Sequence, residues 1–185
     1  MTAPPTTNIT NAQWHEGWWR LAHRLDSPNF GPRPRDAVID LVVVHSISLP
    51  PGALGGPHVL QLFTNQLDWD AHPFFESIRG LRVSSHFFIN RSGVVWQLVS
   101  CNDRAWHAGQ SHYRGRDDCN NDSVGIELEG LEGQLFDPAQ YQTLANLTLA
   151  IAQHYPVQHI AGHEHIAPGR KGDPGSGFDW QRLAL

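Results

Sequence analysis

The chain has 185 residues, of which 40% are hydrophobic, and this length suits one compact domain rather than two. Its formal net charge is -5 and the sequence contains no basic stripe, so nucleic acid is not an expected partner. No apolar run approaches bilayer-spanning length, and the first twenty residues lack the pattern of a secretory signal, so we expect a cytoplasmic protein without a membrane partner.

The N-terminal region is expected to stand apart from the rest of the chain. Residues 1–10 are rich in Thr, Pro and Asn and predict a mobile arm, and the aromatic segment from Trp14 to Leu21 is expected to pack on the domain surface. We therefore divide the chain into an arm, residues 1–23, and a domain, residues 24–185.

A central strand, covered on both faces, is predicted from Ile39 to Val44 because this short apolar run is dense in β-branched residues. The strand is expected to end at His45. Residues 46–57 follow, and their prolines and glycines can continue neither a strand nor a helix. One short helix is expected near Val59 to Thr64, within the loop-rich stretch that comes next.

A β-hairpin is predicted further along the chain. Its strands are Ser85 to Asn90 and residues 94–100, and the turn between them contains Asn90-Arg91-Ser92-Gly93. The polar residues 100–121 then predict a second long loop.

The strand predicted from Ser123 to Glu129 alternates cleanly. Its apolar side chains are expected on one face and its glycine and glutamates on the other: Val124, Ile126 and Leu128 against Gly125, Glu127 and Glu129. Two carboxylates therefore share one face of this strand.

A long helix is predicted to begin at Asp137, which can cap free amides, with Pro138 in the first turn and Gln140 at the capping-box position. Apolar residues recur at helical spacing up to Tyr155, and Pro156 ends the run. A short strand is expected around residues 159–162, followed by a segment that is mostly loop and a short helix from residue 179.

Two histidines and one aspartate are candidate metal ligands. His45 and His163 each follow a predicted strand and precede a stretch rich in Pro and Gly, and Asp173 lies in a turn-rich segment that can direct its carboxylate. Such a set is typical of catalytic zinc, because three protein ligands leave one coordination position for water. Structural roles, as an edge-of-core histidine, a loop histidine and a turn-forming aspartate, explain the same spacing.

Other catalytic arrangements have weaker support in the sequence. His163-Glu164-His165 resembles the start of the H-E-x-x-H zinc motif, but position 167 is Ala167. No G-x-S-x-G segment indicates a serine hydrolase. Cys101 and Cys119 have no signature of a nucleophile or a paired metal site, and in a cytosolic protein they are expected as free thiols.

Glu127 is the candidate general base, because a carboxylate in a strand otherwise rich in Val, Ile and Leu requires a reason for its burial. The alternative is a structural carboxylate paired with an arginine or lysine. Lys171, two residues before Asp173, is a candidate to stabilise a developing oxyanion. Its alternative is an ordinary solvated loop lysine.

Six segments of the chain, in this order, resemble a known family: VVHSISLPPG, AHPFF, LRVSSHF, DRAWHAG, GRDDCNNDSVGIELEG and HIAGHEHIAPGRKGDPGSGFDW. The sequence is similar to the AmpD family of cytoplasmic 1,6-anhydro-N-acetylmuramyl-L-alanine amidases. These are zinc-dependent N-acetylmuramoyl-L-alanine amidases of type 2, related to peptidoglycan recognition proteins. The similarity extends over about residues 24–182.

The resemblance implies an α/β fold, a single domain with a central mixed β-sheet flanked by helices. It implies one Zn²⁺ per chain held by His45, His163 and Asp173, with Glu127 as catalytic acid or base and Lys171 as transition-state stabiliser. The reaction implied is hydrolysis of the amide between (1,6-anhydro-)N-acetylmuramic acid and L-alanine in muropeptides, during cytoplasmic peptidoglycan recycling. No protein partner is implied. A muropeptide-binding protein without activity and a periplasmic amidase acting on intact wall are the alternatives.

Four further residues are expected at the substrate. Arg82 and Arg116 are candidates to pair with the carboxylates of the acidic stem peptide, because arginine binds carboxylates bidentately. Trp106 and His107 lie in a segment expected to flank the sugar. Each of the four has an ordinary structural role as its alternative.

Three residues depart from the family pattern. Ser46 stands where the family commonly has Asn, His165 where it commonly has Asp, and Asp118 where we expect an arginine near the peptide. The first two are close in sequence to His45 and His163. If the segment after His163 is extended, His165 points away from it.

Overall fold

The computed structural model describes residues 13–183. Its central sheet has six strands: β1 (His23–Arg24), β2 (Leu41–Ile47), β3 (Phe87–Ile89), β4 (Val95–Gln97), β5 (Ser123–Glu129) and β6 (His159–Gly162). Their order across the sheet is β6-β2-β5-β3-β4-β1. Strands β6, β2, β5 and β3 are parallel to one another, β4 is antiparallel to β3, and β1 is parallel to β4. The predicted mixed sheet and the predicted hairpin are confirmed.

Four α-helices and several smaller elements surround the sheet. The helices are α1 (His58–Phe63), α2 (Pro73–Glu76), α3 (Pro138–His154) and α4 (His163–Ile166), with 3-10 turns at Cys119–Asn121 and Trp180–Leu183. Short antiparallel pairs join Trp14–His15 to Trp18–Trp19, Phe30–Gly31 to Arg104–Ala105, and His112–Tyr113 to Arg116–Asp117. Within residues 13–183, none of the helices combines the length and apolar character needed to cross a membrane.

Helix α3 covers one face of the sheet. It begins as predicted, with Asp137 as its cap and Gln140 Oε1 accepting the Asp137 amide at 3.1 Å. Its apolar residues Leu144, Leu147 and Ile151 pack in one core with the side chains that alternate toward it from β2 and β5: Val42, Val44, Val124, Ile126 and Leu128. The alternation predicted for β5 is therefore confirmed, although all seven of its residues are buried because the sheet is covered on both faces.

The opposite face of the sheet has a smaller apolar layer beside the polar residues of the site. Leu41 and Val43 from β2 and Ala161 from β6 pack there with Ile166, Ala108 and Cys119. Both cysteines are free thiols and buried, as expected. Because odd-numbered residues of β2 and β5 face this layer, His45 and Glu127 also point toward it.

The structure corrects three predictions. Strand β2 continues past His45 to Ile47, so that His45 lies inside the strand, where hydrogen bonding to β5 prolongs it. The segment after β6, expected to be mostly loop, starts with the one-turn helix α4, which begins at His163. The aromatic segment expected on the surface instead contributes Trp14 and Trp19 to the core. The arm predicted at residues 1–10 lies outside the described residues.

Candidate metal centre

Three ligand atoms converge at the carboxyl end of the parallel strands. The Nδ1 atoms of His45 and His163 lie 2.9 Å apart, and Asp173 Oδ2 lies 3.2 Å from the first and 3.3 Å from the second. All three side chains are buried. Across residues 13–183, this is the one group of three or more histidines, cysteines and acidic residues with atoms close enough together to hold a metal ion.

Strand register brings the site together. Glu127 of β5 pairs directly with His45 of β2, and Gly162, the last residue of β6, pairs with Val44. His163 therefore follows beside His45. The carbonyl of Asp173 accepts the amide of Glu164 at 2.9 Å, which holds the Asp173 segment against α4.

The protonation states of the three residues suit a cation. Burial is the main cause that lowers the pKa of His45 to about 4, so its ring is neutral near pH 7. Burial opposes ionisation of Asp173, but its close contacts with the rings of His163 and His45 hold the pKa of its carboxyl well below the usual range. A metal ion requires neutral imidazole and ionised carboxylate as ligands, and both are available here.

Glu127 faces the same site. It is not paired with an arginine or lysine among the described residues, although such a structural pairing was the alternative explanation for its burial. Its Oε2 atom is buried and has no hydrogen-bond partner among the described residues. Burial raises the pKa of Glu127 well above its ordinary value, and the Asp173 carboxylate raises it further, while the charge of Lys171 lowers it. A buried carboxyl with a free oxygen is a candidate proton carrier.

A cleft of about 200 Å³ opens onto these residues. Glu127, His163, Lys171 and Asp173 line its polar side. The remainder of the lining is largely apolar or aromatic: Ile47, Leu62, Phe63, Leu81, Val83, Trp106 and His107, with Ser46 and Ser84. A cleft of this kind can bind a ligand that has a polar side and an apolar side.

Of the residues expected at the substrate, Trp106 and His107 line the cleft, whereas the two arginines are placed differently. Arg82 is exposed between Leu81 and Val83, which line the cleft. Arg116 is paired with Asp40 at 2.7 Å and Asp122 at 3.0 Å, and it lines a separate hollow.

His107 lines the cleft and also contacts a candidate metal ligand. Its Nδ1 lies 2.9 Å from His45 Nε2 and its Nε2 lies 3.2 Å from Ser123 Oγ. Its side chain therefore stands behind the candidate metal ligand.

The three departures from the family pattern have different surroundings. Ser46 lines the cleft, and its buried Oγ has no hydrogen-bond partner among the described residues. His165 is turned away from the site, because its Nδ1 accepts the amide of Gly162 at 2.8 Å across the first turn of α4. Asp118 is held by Arg104, with Nη2 2.9 and 2.6 Å from its two carboxylate oxygens.

Sequence reasoning missed the residues that support the two histidines from behind. The carbonyl of Ala108 lies 3.0 Å from His163 Nε2, and Asn120 and Ser123 lie beneath the His107–Ala108 segment. The available signal was the Trp106-His107-Ala108 segment within a polar run. It gives no indication of which ring the histidine contacts.

The donor atoms and the space between them fit a metal ion. Two imidazole nitrogens and one carboxylate oxygen face one another, and the unpartnered Glu127 Oε2 and Ser46 Oγ atoms border the same space. Two histidines with one carboxylate is a donor set of catalytic zinc sites.

Comparison with known proteins agrees with this geometry. A profile of the N-acetylmuramoyl-L-alanine amidase family matches residues 34–176. The 1,6-anhydro-N-acetylmuramyl-L-alanine amidase AmpD of Escherichia coli (strain K12) is 50% identical over 172 residues, which cover 92% of this chain and 94% of the relative.

Solved structures show the same similarity. A crystal structure of a selenomethionine AmpD derivative matches with a TM-score of 0.88 and 49% identity, covering 91% of this chain and 96% of that one. The amidase AmiD from E. coli, in complex with anhydro-N-acetylmuramic acid-L-Ala-D-gamma-Glu-L-Lys, matches with a TM-score of 0.60 and 30% identity, covering 82% and 59%. The α/β fold implied by the resemblance is confirmed, and the chain belongs to the N-acetylmuramoyl-L-alanine amidase family.

Proposed function

We propose that this protein is a zinc-dependent amidase that hydrolyses the bond between 1,6-anhydro-N-acetylmuramic acid and L-alanine in muropeptides. The observation that carries the proposal is the convergence of His45, His163 and Asp173 beside the unpartnered carboxyl of Glu127, in a chain of this family. The substrate class is taken from relatives, since AmpD of E. coli bears the name of this activity and AmiD is described with an anhydromuramyl peptide bound.

One zinc ion per chain would be held by His45 Nδ1, His163 Nδ1 and a carboxylate oxygen of Asp173. When bound, zinc supplies two effects, because it lowers the pKa of water to about 7 and polarises a carbonyl oxygen. The residues of this chain supply the remaining functions, namely proton transfer, charge stabilisation and exclusion of bulk water.

Glu127 is the proposed proton carrier. Its carboxylate takes a proton from the water that attacks the lactyl carbonyl, and it returns that proton to the L-alanine nitrogen as the C–N bond breaks. The products are the carboxylic acid of the sugar and the free amine of the peptide, so one water is consumed for each bond cleaved. Burial raises the pKa of Glu127 and favours its protonated form, whereas the charge of Lys171 lowers that pKa and favours the carboxylate that accepts the proton.

Lys171 is the proposed partner of the negative charge that develops on the carbonyl oxygen. It is exposed at the mouth of the cleft and lies close enough to Glu127 and His45 for its charge to affect their pKa values. Stabilisation of a developing oxyanion by a fixed cation is among the larger contributions to catalysis. Trp106 is the proposed aromatic contact of the sugar, and Arg82 and Arg116 stay predictions for the peptide.

The direct test is incubation with a purified anhydromuropeptide, followed by mass spectrometry. Release of free peptide, its loss after chelation and its return with added zinc are expected. Intact ligand that co-purifies with the zinc-loaded protein would instead identify a binding protein and overturn the proposal. A parallel incubation with intact sacculi tests the preference for fragments.

The cellular compartment does not follow from the site or its chemistry. A cytoplasmic location stays a prediction, and fractionation of cells that produce the protein would test it.

A further inference from the structure

One short segment lies behind both candidate metal-binding histidines. His107 places its Nδ1 2.9 Å from His45 Nε2, and the next residue, Ala108, places its carbonyl 3.0 Å from His163 Nε2. Each histidine thus has its outer nitrogen in contact with the same dipeptide, while its Nδ1 faces the convergence point with Asp173.

The contact with Ala108 fixes the proton on His163. A carbonyl oxygen only accepts hydrogen bonds, so Nε2 of His163 must carry the hydrogen. In a neutral ring the other nitrogen, Nδ1, then presents a lone pair. Arg170 donates to the same carbonyl at 2.7 Å and to Gln110 O at 2.6 Å, which holds the segment in place.

The proton on His45 is fixed through a longer chain of contacts. Ser123 Oγ donates to the carbonyl of Cys119 at 2.5 Å, so it accepts from His107 Nε2 at 3.2 Å. With its hydrogen on Nε2, the ring of His107 presents the lone pair of Nδ1 to His45 Nε2 at 2.9 Å. His45 must then donate from Nε2, and its Nδ1 also presents a lone pair.

The fold makes room for this arrangement and anchors it. Ser123, Gly125 and Glu127 point to the same face of β5, and a Cβ atom at Gly125 would lie 2.4 Å from the His107 ring. Asn120 Oδ1 accepts the amide of His107 at 3.0 Å and that of Ala108 at 2.8 Å. A buried side chain therefore holds both residues of the segment by their backbone.

We infer that the His107–Ala108 segment is a positioning element that holds His45 and His163 as Nδ1 ligands with their outer nitrogens protonated. This inference rests on the proposed function, since it assumes that the two histidines bind zinc. Outer hydrogen bonds of this kind orient a ligand ring, and their loss typically weakens metal binding by about 10- to 100-fold. His107 is thereby assigned a role behind the metal ligand.

A matched pair of substitutions at His107 tests the inference. Asn and Leu have nearly the same shape, and both remove the contact with Ser123, but only Asn offers an oxygen where Nδ1 now accepts from His45. Zinc dissociation constants are measured by competition with a chromogenic chelator, and the absorption spectrum of the cobalt-substituted protein reports ligand geometry. Circular dichroism of the metal-free variants checks folding.

We expect His107→Leu to bind zinc about 10- to 100-fold more weakly than wild type and to alter the cobalt spectrum, with His107→Asn close to wild type. Equal zinc affinity for the two variants would overturn the inference. If the wild-type protein itself binds no zinc, the proposed function fails. This failure is distinguishable from failure of the inference, because it is seen in the wild type before any variants are compared.

Two further measurements keep the test decisive if the His107 variants do not fold. Ser123→Ala removes the acceptor of His107 Nε2 and should also weaken zinc binding, whereas wild-type affinity would count against the inference. Nitrogen-15 NMR of the histidine rings should show the hydrogen of His107 on Nε2, and a hydrogen on Nδ1 would overturn the assigned direction of the chain.

Discussion

Glu127 and His45 are direct partners on two adjacent parallel strands, and their side chains project from the same face of the sheet. The distance between the proposed proton carrier and the first metal ligand is therefore set by backbone hydrogen bonding rather than by a flexible loop. A one-residue shift of register would turn one of them to the opposite face, against α3. The site thus depends on β2 and β5 keeping their pairing.

Two glutamates on β5 allow the role of Glu127 to be separated from a structural effect. Glu127→Gln should lower kcat by about 100- to 10,000-fold while zinc content is retained, because the amide cannot accept the proton of water. Glu129 accepts the amides of Gly55 and Arg91, so Glu129→Gln should reduce stability with little change in kcat. Steady-state kinetics with metal analysis measures both variants, and normal turnover by zinc-loaded Glu127→Gln would reject the proposed base.

Zinc should stabilise the folded protein through Asp173. At free zinc about a thousand times the dissociation constant, binding adds about 4 kcal/mol to the free energy of unfolding, which raises Tm by about 10 °C. Asp173→Ala should lose most of this rise, whereas Asp36→Ala, at an exposed position, should keep it. Thermal unfolding with and without chelator provides the comparison, and an equal zinc-dependent rise in both variants would exclude Asp173 as a ligand.

Lys171 should affect the chemical step more than substrate binding. Removing one oxyanion partner typically lowers kcat by about 100- to 1000-fold, so Lys171→Met should lower kcat strongly with a small change in KM. Lys171→Arg keeps the charge and should recover part of the activity. The kinetic constants of the two variants at equal zinc content decide the matter, since an unchanged kcat in Lys171→Met would leave the side chain as a solvated loop lysine.

His86 should make the protein less stable in mild acid. Burial, and then the charge of Arg33, lower the pKa of His86 to about 3, and its ring contacts the Gly125 amide, the Asp103 carbonyl and the edge of His107. An unfolded histidine titrates near 6.5, so the unfolded state binds the proton first as the pH falls. The contribution of His86 to the free energy of unfolding is therefore fully present above about pH 6.5 and is lost as the pH falls. Between pH 7 and pH 5 this loss is about 2 kcal/mol.

The comparison is between wild type and His86→Asn, both with zinc removed so that metal release does not contribute. Urea unfolding at pH 7 and pH 5 should show a smaller pH-dependent loss in the variant. The other buried histidines are common to both proteins and cancel in the difference. An identical loss in the two proteins would mean that His86 takes up its proton without cost in the folded state.

Sequence reasoning succeeded where the determinants are local. The capping residues of α3 and the alternation of β5 are encoded within a few positions, and both were predicted close to their observed bounds. It failed where tertiary contacts decide the outcome. Pairing with β5 carries β2 past His45, and a hydrogen bond from Gly162 to His165 favours helix in a segment expected as loop.

The residues of the candidate site also differ in how far they could be predicted from the sequence. Chain position and family resemblance identified His45, His163 and Asp173, which the fold brings together. The placement of His107 was not predictable in the same way, because it depends on the missing side chain of Gly125, two residues before Glu127 on β5. Arg116 illustrates the converse, since a residue type suited to carboxylate recognition is here paired with Asp40 and Asp122.

The missing side chain at Gly125 also bears on how the cleft opens. A loop that rests on a flat apolar strand can slide along it, but the ring of His107 is inserted into the gap at Gly125 and cannot move along β5 without first being withdrawn. The loop that carries Trp106 therefore forms the stationary side of the cleft.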